Sequence, residues 1–270
     1  ADHSGVYDAG KGYDATIQFT TYIYVDPAIA DPGQVEDAIA PTFPGQYVVN
    51  RAKQARSYEA AQSGGMSVFD LRDDMLKPLA DWSMAAQRLL GLSYTYYDGP
   101  AFDGMAYGEL GTYGVPVRTE TLMVQENTDV DELTDAYGAA KPPCFATSGT
   151  PDWSLYPADF VAQLQDPKCG YVWHDATILN ERYVKGYYTS AQKSKFDFQD
   201  DPATAKGLPV AMRDAFDNEA TIEYDGYKLL PVKVTDPVGM ETSSEYDYRI
   251  LQPDRVTDPN GNISTFAFTP

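Results

Sequence analysis

The stock of residues able to act as nucleophile–base pairs or soft metal ligands is small: two histidines, His3 and His174, and two cysteines, Cys144 and Cys169. Cys169 and His174 lie five residues apart, a spacing that invites a thiolate–imidazole pair or half of a zinc site. An activated nucleophile needs an oriented base, and a structural zinc site needs four ligands. No second pair completes either set, so both read as idle or buried side chains. Asp200 and Asp201 are adjacent, so in a strand their carboxylates point to opposite faces and form no paired-carboxylate site. The acidic run 126–135 (ENTDVDELTD) holds Asp129, Asp131 and Glu132, but lacks the spacing and glycine of a calcium loop. Acids gathered at a helix N-terminus account for it better. Glycines at 104, 108, 111 and 114 are too irregular for a dinucleotide fingerprint and read as a glycine-rich loop or wall. The expectation is a non-enzymatic protein with no metal and no cofactor.

Composition supports a structural reading. Forty acids against twenty bases give a net charge of -20, which repels phosphate backbones and anionic membranes, so nucleic acid is excluded as a partner. Tyr supplies 21 residues beside 11 Phe and 3 Trp, and 21 Gly and 19 Pro are scattered throughout. That is the composition of short strands joined by tight turns. No apolar run reaches the length of a membrane span, and Ala1-Asp2-His3-Ser4 lacks a signal-peptide pattern. The absent initiator Met and a C-terminus that falls inside a repeat unit make the chain read as a piece of something longer.

The strongest signal is internal repetition. From Asp214 the sequence aligns with itself at an offset of 22 residues: DAFDNEATIEYDGYKLLPVKVT, DPVGMETSSEYDYRILQPDRVT from Asp236, and DPNGNISTFAFTP from Asp258. The repeat-defining positions are Asp214, Asp236 and Asp258, with Tyr224, Tyr246 and Phe268, and with Asp225 and Asp247 after the tyrosines. Asp236-Pro237-Val238-Gly239 and Asp258-Pro259-Asn260-Gly261 carry turn residues in the order a type I turn requires, ending on a glycine free to take positive φ. Alternation then places Ile222 with Tyr224, Ser244 with Tyr246 and Phe266 with Phe268 on one face, and Glu223 and Glu245 on the other. Each unit is a β-hairpin, and hairpins too weak to stand alone must stack edge to edge. The fold class is mainly β: antiparallel hairpin repeats in a curved sheet or shell wall, with a few short helices in the N-terminal third.

Three segments follow: a mixed one over 1–92, an irregular β-rich one over 93–213, and regular repeats over 214–270. Residues 17–25 predict a strand. Residues 35–40 predict a helical turn, and 52–62 a helix from its Ala, Glu and Arg content. Helical periodicity is also present in the second half of 74–90. Residues 94–97 predict a strand leading to a turn at Asp98-Gly99-Pro100, an irregular echo of the Tyr-Asp pattern. Residues 117–124 predict a strand and 159–164 a short helix, with exposed loop around Pro142-Pro143 and 148–151.

Three runs, YYDGPAFDGMAYGELGTYGVPVRTE from Tyr96, KFDFQDDPATAKGLPVAMRD from Lys195 and DYRILQPDRVTDPNGN from Asp247, resemble the B component of insecticidal toxin complexes, the Tc toxins, within the wider Rhs/YD-repeat proteins. The resemblance is carried by residues 93–270. It implies a section of a secreted β-shell that encloses an unfolded toxin cargo. The implied partners are other shell segments, a C-type Rhs partner with its cargo and an A-type channel component. The family's closing motif with self-cleaving aspartates, its toxin domain and its channel-docking propeller are not recognisable here. An alternative is an extracellular module that binds carbohydrate or a receptor through Trp153, Tyr156, Tyr171 and Trp173.

Overall fold

In the computed structural model the described residues are 2–8, 12–26, 28, 38–41, 44–61, 67–75, 86–125, 157–161, 170–174 and 184–268. Among them, fourteen strands form one open, curved antiparallel sheet. The first half contains β1 (Asp2–Asp8), β2 (Gly12–Val25), β3 (Val48–Ala61), β4 (Ala86–Tyr97) and β5 (Pro116–Gln125). Next come the short β6 (Val172–His174), β7 (Gly186–Thr189) and β8 (Lys193–Phe196). The repeat region supplies β9 (Pro209–Arg213), β10 (Glu219–Tyr224), β11 (Pro231–Thr235), β12 (Glu241–Asp247), β13 (Gln252–Thr257) and β14 (Ile263–Thr265). The spatial order follows the chain except at one fork: β5 pairs with both β7 and β8, and β6 adds to the outer side of β7.

β10, β12 and β14 begin exactly one period apart, at Glu219, Glu241 and Ile263. The turns between units follow the sequence reading. Asp214, Asp236 and Asp258 each donate a main-chain N–H to the carbonyl four residues on, at 3.2, 2.9 and 3.0 Å. Each also accepts two main-chain N–H groups on Oδ1. Gly239 and Gly261 take φ of +86° and +80°, and Asp217 fills the same position at +62°. One face of these strands is a cross-strand ladder of charges, Glu223 with Lys233 at 2.5 Å and Glu245 with Arg255 at 3.3 Å. The other carries Met212, Ile222, Val234 and Val256. Both faces reach solvent, since Val234 is 42% exposed and the Glu223 side chain 58%.

Three expectations are overturned. Residues 52–61 form most of β3, because strands on both sides offer a complete hydrogen-bond ladder and outweigh local helix propensity. Residues 86–90 open β4 for the same reason. Ala38 makes a parallel bridge to Tyr24 in place of a helical turn, and 35–37 lie outside the described residues. The N-terminal helix instead spans Val68–Met75 (α1). A Ser67–Asp70 pair starts it: Ser67 N–H donates to Asp70 Oδ2 at 2.8 Å and Asp70 N–H to Ser67 Oγ at 3.2 Å. A second short helix, α2, covers Ala158–Val161.

Among the described residues the buried clusters lie on β2–β8 and their adjoining loops. Leu92, Tyr94, Tyr96 and Tyr188 pack on one another, and Tyr107 closes edge-on against Tyr94 at 5.2 Å. Ile23, Val25, Tyr97 and Leu110 form a second cluster, and Val117, Phe196 and Phe198 a third.

Candidate functional site

Four hairpins end in one shared arrangement, built on an aromatic–aspartate pair. In each, a β-bulge falls just before the aromatic residue, which then faces a proline on the returning strand. The pairs are Tyr97 with Pro116, Phe196 with Pro209, Tyr224 with Pro231 and Tyr246 with Pro253. Proline suits this position because a bulge leaves a ladder donor unused. The aspartate that follows then ties down the loop. Asp98, Asp197 and Asp225 donate their own N–H to the residue before the proline, at 2.9, 2.9 and 3.0 Å. Their carboxylates accept the N–H groups of the loop's last residues.

The device holds loops of very different length. Asp225 accepts from Leu229 at 2.8 Å and Leu230 at 3.3 Å. Asp197 accepts from Lys206, Gly207 and Leu208 at 2.8, 2.9 and 3.0 Å. Asp98, only 2% exposed, accepts from Gly111 and Gly114 at 2.8 Å each and from Val115 at 3.2 Å. The irregular glycines thus wrap a loop around Asp98. A Cβ on Gly111 would sit 2.9 Å from that of Asp98, and one on Gly104, at φ +78°, 2.9 Å from that of Tyr96. Neighbouring ends are cross-linked, Gln199 Nε2 donating to Gly99 O at 2.8 Å and Tyr113 stacking on Phe198 at 4.3 Å.

The tyrosine hydroxyls tie each hairpin to the one before. Tyr224 donates to Pro209 O at 3.0 Å, Tyr246 to Pro231 O at 2.8 Å, and Tyr97 to Ala52 O at 2.8 Å. Phe268, exposed beyond β14, has no hydroxyl to give. Tyr248 donates to Asp225 Oδ2 at 2.6 Å and sits edge-on to Tyr227. Asp247 is gripped by the Arg249 guanidinium at 2.9 Å. Each of these groups is engaged in a hydrogen bond that ties a hairpin end down.

Their titration follows. The Arg249 guanidinium holds the Asp247 carboxyl down at about 2, and main-chain N–H bonds together with Tyr248 lower that of Asp225. Asp214 and Asp258 are lowered chiefly by their asparagines. Depressed carboxyls stabilise the fold above their unfolded value near 3.8 and lose that contribution as pH falls through the folded values. On the alkaline side, the Asp225 carboxylate pushes the Tyr248 phenol up to about 12, and burial does the same to Tyr187. A raised phenol stabilises below its ordinary 10.0, and that contribution is lost as pH rises from 10.0 toward 12. Two-sided pH unfolding followed by circular dichroism should therefore show a plateau bounded by a loss between about pH 4 and 2 and another above pH 10. Tyrosinate absorbance should show Tyr187 and Tyr248 ionising only within the upper transition.

A second polar cluster was not foreseen. Glu120 on β5, with its side chain 6% exposed, accepts from Tyr96 Oη at 3.0 Å, pairs with the Arg118 guanidinium, and lies 3.2 Å from His174 Nε2. Arg118 stacks over the Tyr96 ring at 4.0 Å. His174 therefore meets a glutamate, while Cys169, like Cys144, lies outside the described residues. Asp200 pairs with Lys195 at 2.8 Å and Asp201 accepts from Thr204 Oγ1 at 2.6 Å. Of the proposed stacking residues, Trp173 is half-buried edge-on against Tyr187 at 4.8 Å and Tyr171 is half-buried just before β6. Trp153, Tyr156 and the acidic run 126–135 lie outside the described residues. No group of three or more His, Cys, Asp or Glu able to hold a metal occurs among the described residues.

No family model and no curated relative matches the sequence. Among solved structures, the crystal structure of TcdB2-TccC3-Cdc42 superposes with a TM-score of 0.58 at 16% identity, over 94% of this chain and 10% of that one. TcdB2-TccC3 without its hypervariable C-terminal region gives 0.57 at 16%, over 94% and 10%. The fold is Tc-toxin-like. A Photorhabdus luminescens Tc holotoxin pore matches equally, with a TM-score of 0.57 at 16% identity, over 92% of this chain and 10% of that one. The chain thus spans about a tenth of the length of these Tc-toxin chains.

Proposed function

We propose that the chain is a non-catalytic wall segment of a B-component-like Rhs/YD β-shell that encloses a toxin cargo. The carrying observation is the sheet itself: its hairpins follow chain order except at the β5 fork, and β10–β14 hold no buried residue on either face. A sheet of that kind has too little covered apolar surface to be an ordinary two-layer domain, but suits a strip extended by repetition. Likeness in fold to Tc-toxin chains of roughly tenfold greater length supports the same reading. Its partners are then neighbouring segments of the shell, a C-type partner with its cargo, and a channel component, in a secreted assembly. In the full-length protein, a cargo domain should resist added protease until the shell is opened by denaturant. Cargo digested as fast as the free domain would overturn the proposal.

A further inference from the structure

The three turns that begin with Asp214, Asp236 and Asp258 share one hydrogen-bond pattern, but differ two residues on, where Phe216, Val238 and Asn260 stand. Asn260 precedes Gly261, the only Asn-Gly pair in the sequence. We propose that Asn260 is a site of spontaneous intramolecular deamidation whose product loosens the pairing of β14 with β13.

The step needs only the chain and water. The main-chain nitrogen of Gly261 attacks Cγ of Asn260. A new C–N bond closes a succinimide ring, the Cγ–Nδ2 bond breaks, and the Gly261 amide proton leaves with the side-chain nitrogen as ammonia. Water then opens the ring. Attack at the former side-chain carbonyl yields aspartate, and attack at the main-chain carbonyl yields isoaspartate.

The geometry selects Asn260 over the other asparagines of these turns. Its side chain is exposed and makes no hydrogen bond among the described residues, while its N–H donates to Asp258 Oδ1 at 2.9 Å. Asn218 and Asn262 are each held through Nδ2, at 2.8 Å, by Asp214 and Asp258. They are followed by Glu219 and Ile263, whose side chains crowd the attacking nitrogen, whereas Gly261 has none. The Gly261 N–H donates to Asp258 O at 2.9 Å, so attack waits on an opening of the turn. That opening costs little at this place. β14 pairs with β13 at only three positions, so few ladder bonds resist the opening.

Both products put a carboxylate beside Asp258, and isoaspartate also lengthens the main chain by one carbon inside a loop closed by Asp258 N–H to Asn262 O at 3.0 Å. The turn that joins β13 to β14 then no longer fits. The chain should be aged in mildly alkaline buffer and mapped by peptide mass spectrometry with isoaspartyl methyltransferase labelling. The amide-to-acid mass gain should build up at 260 well ahead of Asn218 and Asn262. Amide exchange over 263–266 should rise severalfold in the converted fraction while β9–β11 stay protected, and Asn260→Ser should abolish both effects. Equal conversion at Asn218 or Asn262, or unchanged protection of β14 after conversion, would overturn the proposal.

Discussion

Asp98→Ala should lower the unfolding free energy by about 3–5 kcal/mol, measured by urea denaturation followed by circular dichroism. The carboxylate is buried and receives three main-chain N–H groups from Gly111, Gly114 and Val115. Bonds to an ionised acceptor are each worth roughly 1.5–3 kcal/mol, but they are not additive, because an opened loop regains water on some donors. Leu110, 3% exposed, and the half-buried Val115 would lose cover with the loop. Asp98→Asn is the informative control. Asp98 has a φ of +44°, which asparagine tolerates, and one amide oxygen can still serve Gly111 and Gly114. Its NH2 would face the Val115 donor, so a smaller loss of about 1–2 kcal/mol is expected. Equal losses for the two variants would mean that an amide oxygen in the same place does not hold Gly111 and Gly114, contradicting the assignment of the loop to those two accepted N–H groups.

Glu120→Ala should cost a comparable amount, about 3–5 kcal/mol, because removing one partner strands the others in a buried setting. Glu120 joins three strands, through Tyr96 on β4, its own Arg118 on β5 and His174 on β6. β6 is three residues long and adds to the sheet only through β7, so the loss should appear first as faster amide exchange at β6 and β7. Glu120→Gln retains an acceptor for the Tyr96 hydroxyl and should lose about 1–2 kcal/mol. A neutral outcome for Glu120→Ala, read by denaturation and exchange together, would show that the cluster is incidental.

Legibility in the sequence followed how local each determinant is. The regular hairpins were readable because their turns, alternation and period all lie within one unit of 22 residues. The hairpin ends at Asp98 and Asp197 obey the same rule, but their loops run to Val115 and Leu208 before the chain returns, which destroys the period. The surviving mark is the apolar-Pro-Val triplet on the returning strand, at 115–117, 208–210 and 230–232, set against an upstream aromatic-Asp pair. β3 runs against its composition: Ala, Glu, Gln and Arg favour helix in isolation, and only the ladders to β2 and β4 reverse that preference. The Glu120–His174 contact joins residues far apart in the chain through a fork in the sheet, so nothing in their local spacing announces it.

Electron cryo-microscopy of the full-length protein would show whether this sheet is a stretch of shell wall. In a shell wall, β9–β14 should appear as a single layer continued by further hairpins, with the charged Glu223–Lys233–Glu245–Arg255 face on one side and the Ile222–Val234–Val256 face on the other, one of them bounding an enclosed space. Density showing both faces of β9–β14 buried under other layers of a compact domain would contradict it.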